Sequence, residues 1–288
     1  MTDRFTISPA TRCGAVALIV ADLARSLRYY TERIGLRVHR QEPGAAWLGA
    51  GREDLLHLIE QPGARPVQRG RTGLYHFAIL TPSRADLGHT LQHLVATETL
   101  IDGASDHGVS EALYLTDPDG HGIEIYRDRP RAEWPRLGED LRMTLDPLDF
   151  RGVAAAAGGN GTPYAGLHGD TVIGHVHLHV AEIRGAEAFY VDALGLDLMQ
   201  RFHGQASFVS AGGYHHHLGL NVWAGIGAPP PPTDAARLAW YELVLPDADA
   251  LQTAVAHLPA SGFPATPAGE KWRVQDPARN TLILRCAP

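Results

Sequence analysis

Cysteine is scarce in this chain. Only Cys13 and Cys286 occur among 288 residues, at opposite ends and without CxxC spacing. That excludes a disulfide framework or a thiolate metal cluster and fits a reducing cytoplasm. Long apolar runs are missing too: the run from Gly14 to Val20 is stopped by Asp22, far short of the roughly 20 residues that span a bilayer. A charged leader followed by an apolar core is also lacking, so no export signal is expected. Positive charge is in deficit, with 25 Lys and Arg against 32 Asp and Glu and a net charge of -7, which argues against a nucleic-acid footprint or a basic membrane patch. What remains is a soluble globular composition, 44% hydrophobic, with enough apolar residues for the cores of two ordinary domains or one large one. The abundant residue is histidine, 16 in number and unevenly placed, which points towards metal chemistry.

The chain repeats itself. Asp22 to Leu36, with Tyr29-Tyr30 and Gly35, recurs as Glu182 to Leu196, with Phe189-Tyr190 and Gly195. Each copy predicts an amphipathic helix with buried aromatics and a glycine at its C-terminal end. Ser83–Leu94 matches Asp247–Leu258 more loosely, and Asp117-Pro118 matches Asp276-Pro277. The expectation is an α+β chain of four tandem βαβββ modules, led by strands over 15–20, 75–80, 173–180 and 239–245. Modules one and two take 1–130, a connector 131–170, and modules three and four 171–288. The connector is too long for an ordinary loop and is expected to wrap the surface with a short helix in it.

The stretch from His107 to Glu124 carries the strongest local signal. It reads as a strand, a Pro118-Asp119-Gly120 turn and a second strand, in which Glu124 lies on the face opposite Ile123 and Ile125. A carboxylate turned into a sheet interior needs a partner, and a metal is one of the few that suffices.

This stretch resembles the signature of the extradiol ring-cleavage dioxygenases of the vicinal oxygen chelate superfamily. The His, the Leu113-Tyr114 pair, the Asp-Pro-x-Gly turn and the glutamate are all present, and Ala104 stands where the family usually has Gly. Over most of the chain the resemblance is closest to bacterial four-module catechol-2,3-dioxygenases. It implies modules paired into two curved-sheet barrels, each around a cleft. Registering the modules on their first strands aligns Ala15, His76, His175 and Trp240, the position where the superfamily keeps its first metal ligands. Registering the last strands aligns His57, Glu124, Gly219 and Ile283. His76, Glu124 and His175 then form a two-His-one-carboxylate set, the usual arrangement for non-haem Fe(II), with Mn(II) as the alternative. Modules two and three are expected to share the metal cleft. Tyr214-His215-His216-His217 resembles the family's acid–base histidine motif, which assigns that role to His216. By the same resemblance His107 and Tyr114 hydrogen-bond the substrate oxygen and dioxygen.

Competing readings stay open at this level. A histidine on an apolar strand ordinarily satisfies itself in the core. If modules one and two paired instead, His57 with His76 and Glu124 would form a glyoxalase-like site. A Zn(II) or Ni(II) isomerase is the second enzymatic alternative, and a metal-free binding protein of the bleomycin-resistance type the third. His177 and His179 are expected to line the cleft or to hydrogen-bond within it, while His215 and His217 are expected to be solvated. Trp47, Trp223, Trp240 and Trp272 are candidates for an aromatic pocket wall, and the basic run 126–131 for one end of the cleft. The expected partners are a small aromatic diol and dioxygen, and homo-oligomerisation is left open.

Overall fold

In the first module, the strand Arg12–Val20 is buried almost throughout, and Asp22 then caps the helix Leu23–Arg28 by accepting from the Arg25 backbone N–H. The helix widens into a π-turn segment, Tyr29–Ile34, and stops at Gly35, whose φ of 92° a side chain would resist. Three strands follow, Arg37–Glu42, Ala45–Gly49 and Leu56–Glu60. A computed structural model describes residues 4–158 and 164–287, and within them this plan occurs four times. The third module repeats even the widened turn, with helix Ile183–Glu187 running into Ala188–Ala193. The four βαβββ modules read from the repeats are therefore present.

The strands join into two eight-stranded sheets. In the outer sheet, the strands of modules one and four meet: Arg12–Val20 runs antiparallel to Arg237–Leu245 and parallel to Leu56–Glu60. In the inner sheet, modules two and three meet in the same way. Gly73–Leu80 runs antiparallel to Val172–His179 and parallel to Gly122–Asp128. Each sheet thus takes one module from either half of the duplication.

The halves are tied internally by one repeated contact. Tyr30 donates to Asp117 Oδ2 at 2.8 Å, and Tyr190 donates to Asp276 Oδ2 at 2.9 Å. In both cases a helix tyrosine of one module reaches the turn aspartate of the next. Asp117 also accepts from the backbone N–H groups of Asp119 and His121. Its charge closes the Asp-Pro-Asp-Gly turn, in which Gly120 has a φ of 97°.

The connector contains a short helix, Phe150–Ala156, and a two-stranded ribbon, Arg136–Leu137 with Asp140–Leu141; its residues 159–163 lie outside those described. Both cysteines are free thiols. Among the described residues no helix is long and apolar enough to cross a membrane.

Candidate metal centre

Strand alternation brings three donors to one point of the inner sheet. His76 lies on Gly73–Leu80, Glu124 on the neighbouring Gly122–Asp128, and His175 on Val172–His179, all on the concave face. A register shift between Ile173 and His175 helps to aim the last of these. At Gly174, within the shift, a Cβ would fall 1.8 Å from the Tyr126 hydroxyl. All three donors are buried.

His76 Nε2 is 3.0 Å from Glu124 Oε2, His175 Nε2 is 3.1 Å from the same oxygen, and the two nitrogens are 3.3 Å apart. Three mutual contacts cannot all be hydrogen bonds if the imidazoles are neutral and each carries one hydrogen. The nearly equilateral triangle has the edges of three neighbouring corners of an octahedron with bonds of about 2.2 Å. Nitrogen and carboxylate donors so spaced are a fitting set for a divalent transition metal. Burial opposes ionisation of Glu124, but His175 and His76 outweigh it and hold the carboxyl well below the usual range. Burial likewise pushes His76 below its ordinary value, against the pull of Glu124. Both shifts leave lone pairs available to a cation.

Around this triangle lies a cleft of about 290 Å³. His107 and Tyr114 face it as a bonded pair, with His107 Nε2 2.6 Å from the Tyr114 hydroxyl and His107 Nδ1 2.9 Å from the Thr144 carbonyl. A carbonyl only accepts, so Nδ1 carries the hydrogen, and in neutral His107 the Nε2 accepts from Tyr114. Burial first, and the Glu124 charge second, push the Tyr114 phenol well above its usual range, so it stays protonated. His177 also lines the cleft, and its buried Nε2 has no partner among the described residues. His179 is bonded to the Asn221 side chain at 2.7 Å.

His216 sits over His175, with ring centroids 4.2 Å apart. Its Nδ1 is 2.8 Å from Nδ1 of His215, whose Nε2 is 2.8 Å from Asp128 Oδ1. Burial, then the surrounding imidazoles, drive His216 well below its ordinary value and keep it neutral. The expectation of solvated flanking histidines fails here. His215 is fully buried because it bridges Asp128 to His216. His217 is buried because its Nδ1 accepts from the Ser210 hydroxyl and the Ala211 backbone N–H. Asp128 was not singled out from the sequence, although it follows Glu124 by four residues on one strand and so shares its face.

Other candidates fall elsewhere. His57 belongs to the outer sheet, stacked on Trp47 at 4.2 Å and near Trp240 at 5.7 Å, so it does not join His76 and Glu124. Of the four candidate tryptophans, only Trp223 lines the cleft. The basic run is engaged away from the cleft, with Arg127 and Arg129 on Glu111 and Asp106. In the outer sheet Glu242 is buried against Lys271 and Arg285, at 2.7 and 2.8 Å.

Comparison with known proteins bears on the family and the fold. The family model for the Glyoxalase/Bleomycin resistance protein/Dioxygenase superfamily matches residues 12–125. A Bacillus subtilis (strain 168) relative named Catechol-2,3-dioxygenase is 44% identical over 282 residues, covering 96% of this chain and 98% of the relative. Two solved structures share the fold. One is a Bacillus subtilis protein with a TM-score of 0.69 at 15% identity, covering 99% of this chain and 87% of its own. The other is glyoxalase I from Zea mays, with a TM-score of 0.56 at 19% identity and coverages of 96% and 92%. The sequence match over nearly the whole length, with the architecture behind it, makes this chain a member of the Glyoxalase/Bleomycin resistance protein/Dioxygenase superfamily.

Proposed function

We propose that the protein is an extradiol dioxygenase, which inserts dioxygen into a catechol beside its two hydroxyl groups. The observation that carries this reading is the His76, Glu124 and His175 triangle at the base of an aromatic-walled cleft. The near-full-length match to a protein named Catechol-2,3-dioxygenase supports it. The three residues would hold Fe(II), with Mn(II) the alternative for the same donors. Such an ion would supply the redox and Lewis-acid chemistry that a catechol and dioxygen need.

The chain's own residues manage protons. In neutral His215 the Nε2 donates to Asp128, and its Nδ1 then accepts from Nδ1–H of His216. The Nε2 of His216 is therefore bare, and it takes the proton of a substrate hydroxyl. The charge this creates is shared along His215 towards Asp128, and the low basicity of the buried ring lets the same proton be returned in a later step. Tyr114 spends its hydrogen on His107 and offers lone pairs to a substrate hydroxyl. If His107 gains a proton, the pair reverses and Tyr114 becomes a donor. A metal-dependent isomerase with two carboxylates is not favoured, because among the described residues the donor cluster has only one.

The test is dioxygen uptake by protein loaded anaerobically with Fe(II), started with catechol, while the product spectrum is followed. Uptake matched one to one by a yellow ring-opened product is the expected result. Bound iron with no dioxygen consumed would overturn the reading.

A further inference from the structure

The cleft is lined by two chemically different groups of side chains. The donors and proton-handling residues form one group; Met143, Leu145, Phe202, Phe208 and Trp223 form the other, with Phe208 packed on His216 at 5.0 Å between ring centroids. Two of these five come from the connector, which is strapped across both edges of the inner sheet. On one edge Asp106 and Asp146 exchange backbone hydrogen bonds at 2.8 and 2.9 Å, and the Thr144 N–H donates to the His107 carbonyl at 2.9 Å. On the other edge the Met143 N–H donates to the Gln200 side chain at 2.7 Å. The strap spends its polar backbone on the sheet and turns Met143 and Leu145 towards the cleft.

The apolar group is only partly covered. Leu145 is 72% exposed, Trp223 45% and Phe202 37%. Large apolar side chains left exposed around a cleft mark a surface that a ligand covers. Among the described residues no lysine or arginine lines the cleft, and the Gln200 amide is already engaged by Met143. The volume of about 290 Å³ is roughly twice the ~150 Å³ that accommodates a benzene ring. A catechol ring held by the donors leaves a comparable space for a substituent against the apolar side chains.

We propose that the substrates are catechols bearing a neutral apolar substituent, alkyl or aryl, seated between the Met143–Leu145 strap and the Phe202, Phe208 and Trp223 side chains. The proposal rests on the ring-cleavage reading and names its substrate class. A carboxylated substituent is disfavoured, since its charge would be desolvated on this wall without a counter-ion. The rival location for such a charge is a second pocket of about 640 Å³. It shares Tyr75, His76, Tyr114 and Trp223 with the cleft and contains Arg69 and Arg71, but Glu124, His175 and His216 do not line it.

The experiment is a substrate series on the Fe(II)-loaded protein: catechol, 4-methylcatechol, 4-butylcatechol, 3-phenylcatechol and 3,4-dihydroxybenzoate. Binding is measured anaerobically by calorimetry, and turnover by dioxygen uptake. Affinity and kcat/KM are expected to rise about fourfold per added methylene up to butyl, mainly through KM, with the carboxylated catechol at least about tenfold below catechol itself. Leu145→Ser and Phe202→Ser should each narrow the ratio of 4-butylcatechol to catechol. The unmodified protein's series decides the matter even if a variant fails to fold. A flat or falling series, or preference for the carboxylate, overturns the proposal while ring cleavage stands. Tighter binding of 4-butylcatechol with no dioxygen uptake from any catechol overturns ring cleavage and supports the apolar subsite.

Discussion

His215 and His216, consecutive in sequence, turn their Nδ1 atoms towards each other at 2.8 Å. Neighbours on a regular strand would point to opposite faces, and here the backbone is irregular just before the strand Leu218–Asn221. Only one of the facing nitrogens carries a hydrogen, and the Asp128 contact of His215 decides which. Asp128→Asn keeps an acceptor but removes its charge. It is expected to lower kcat by about 10- to 100-fold, with KM and iron content nearly unchanged. Steady-state oxygen uptake and metal analysis check this; an unaltered kcat would detach Asp128 from catalysis.

Tyr114→Phe removes the O–H that His107 Nε2 accepts. Iron content should stay at the unsubstituted level because the three donors are untouched, while kcat should fall by at least about tenfold. Unimpaired turnover would show that the tyrosine only fills the sheet.

Gly219 holds the register position that Glu124 holds in module two, and it has no side chain for a spatial reason. A Cβ there would lie 2.6 Å from Cδ2 of His177. Gly219→Ala is expected to cost about 1–3 kcal/mol of stability. His177→Ala in the same chain should recover part of that loss, because the obstructing ring is gone. Denaturant melts of both singles and the double read the coupling, and additive losses would refute the clash.

Burial, then the neighbouring His215 and His175, lowers His217 from 6.5 to about 3. The unfolded chain protonates this residue first, so stability it contributes is whole above about pH 6.5 and is lost as pH falls towards about 3. In that window His217→Gln should reduce the slope of stability against pH by up to about 1.4 kcal/mol per unit. Melting curves from pH 4 to 8 test it, and an unchanged slope would contradict a neutral buried ring.

The sequence was most legible where local rules act alone. Paired aromatics before Gly35 and Gly195 marked equivalent helices, and period-two alternation put Glu124 opposite Ile123 and Ile125, which lie in the core. Counting back from the helix starts aligned His76 with His175, at the position where the family resemblance implies a metal ligand, and the fold brings both to within 3.1 Å of the Glu124 carboxylate. It could not show that the helices widen by a π-turn at Tyr29–Ile34 and Ala188–Ala193. Nor did it expose contacts that depend on which strands become neighbours. His215 read as solvated because its partner Asp128 lies 87 residues away, in another module. Met143 and Leu145 gave no periodic signal, since a strap follows the edges it crosses rather than a repeat of its own.

Nesting of the two sheets also bears on how the chain closes. Val172 pairs with Leu80 across the rest of module two and the connector, whereas Arg12 pairs with Val244 across most of the chain. The cost of closing a loop grows with the sequence it encloses, so the inner pairing has the lower entropic barrier and shortens the remaining path for the outer one. By this measure the inner sheet is expected to pair before the outer one. Circular permutation that opens the connector would reverse this order, leaving the cleft to be assembled last and refolding to be slowest there.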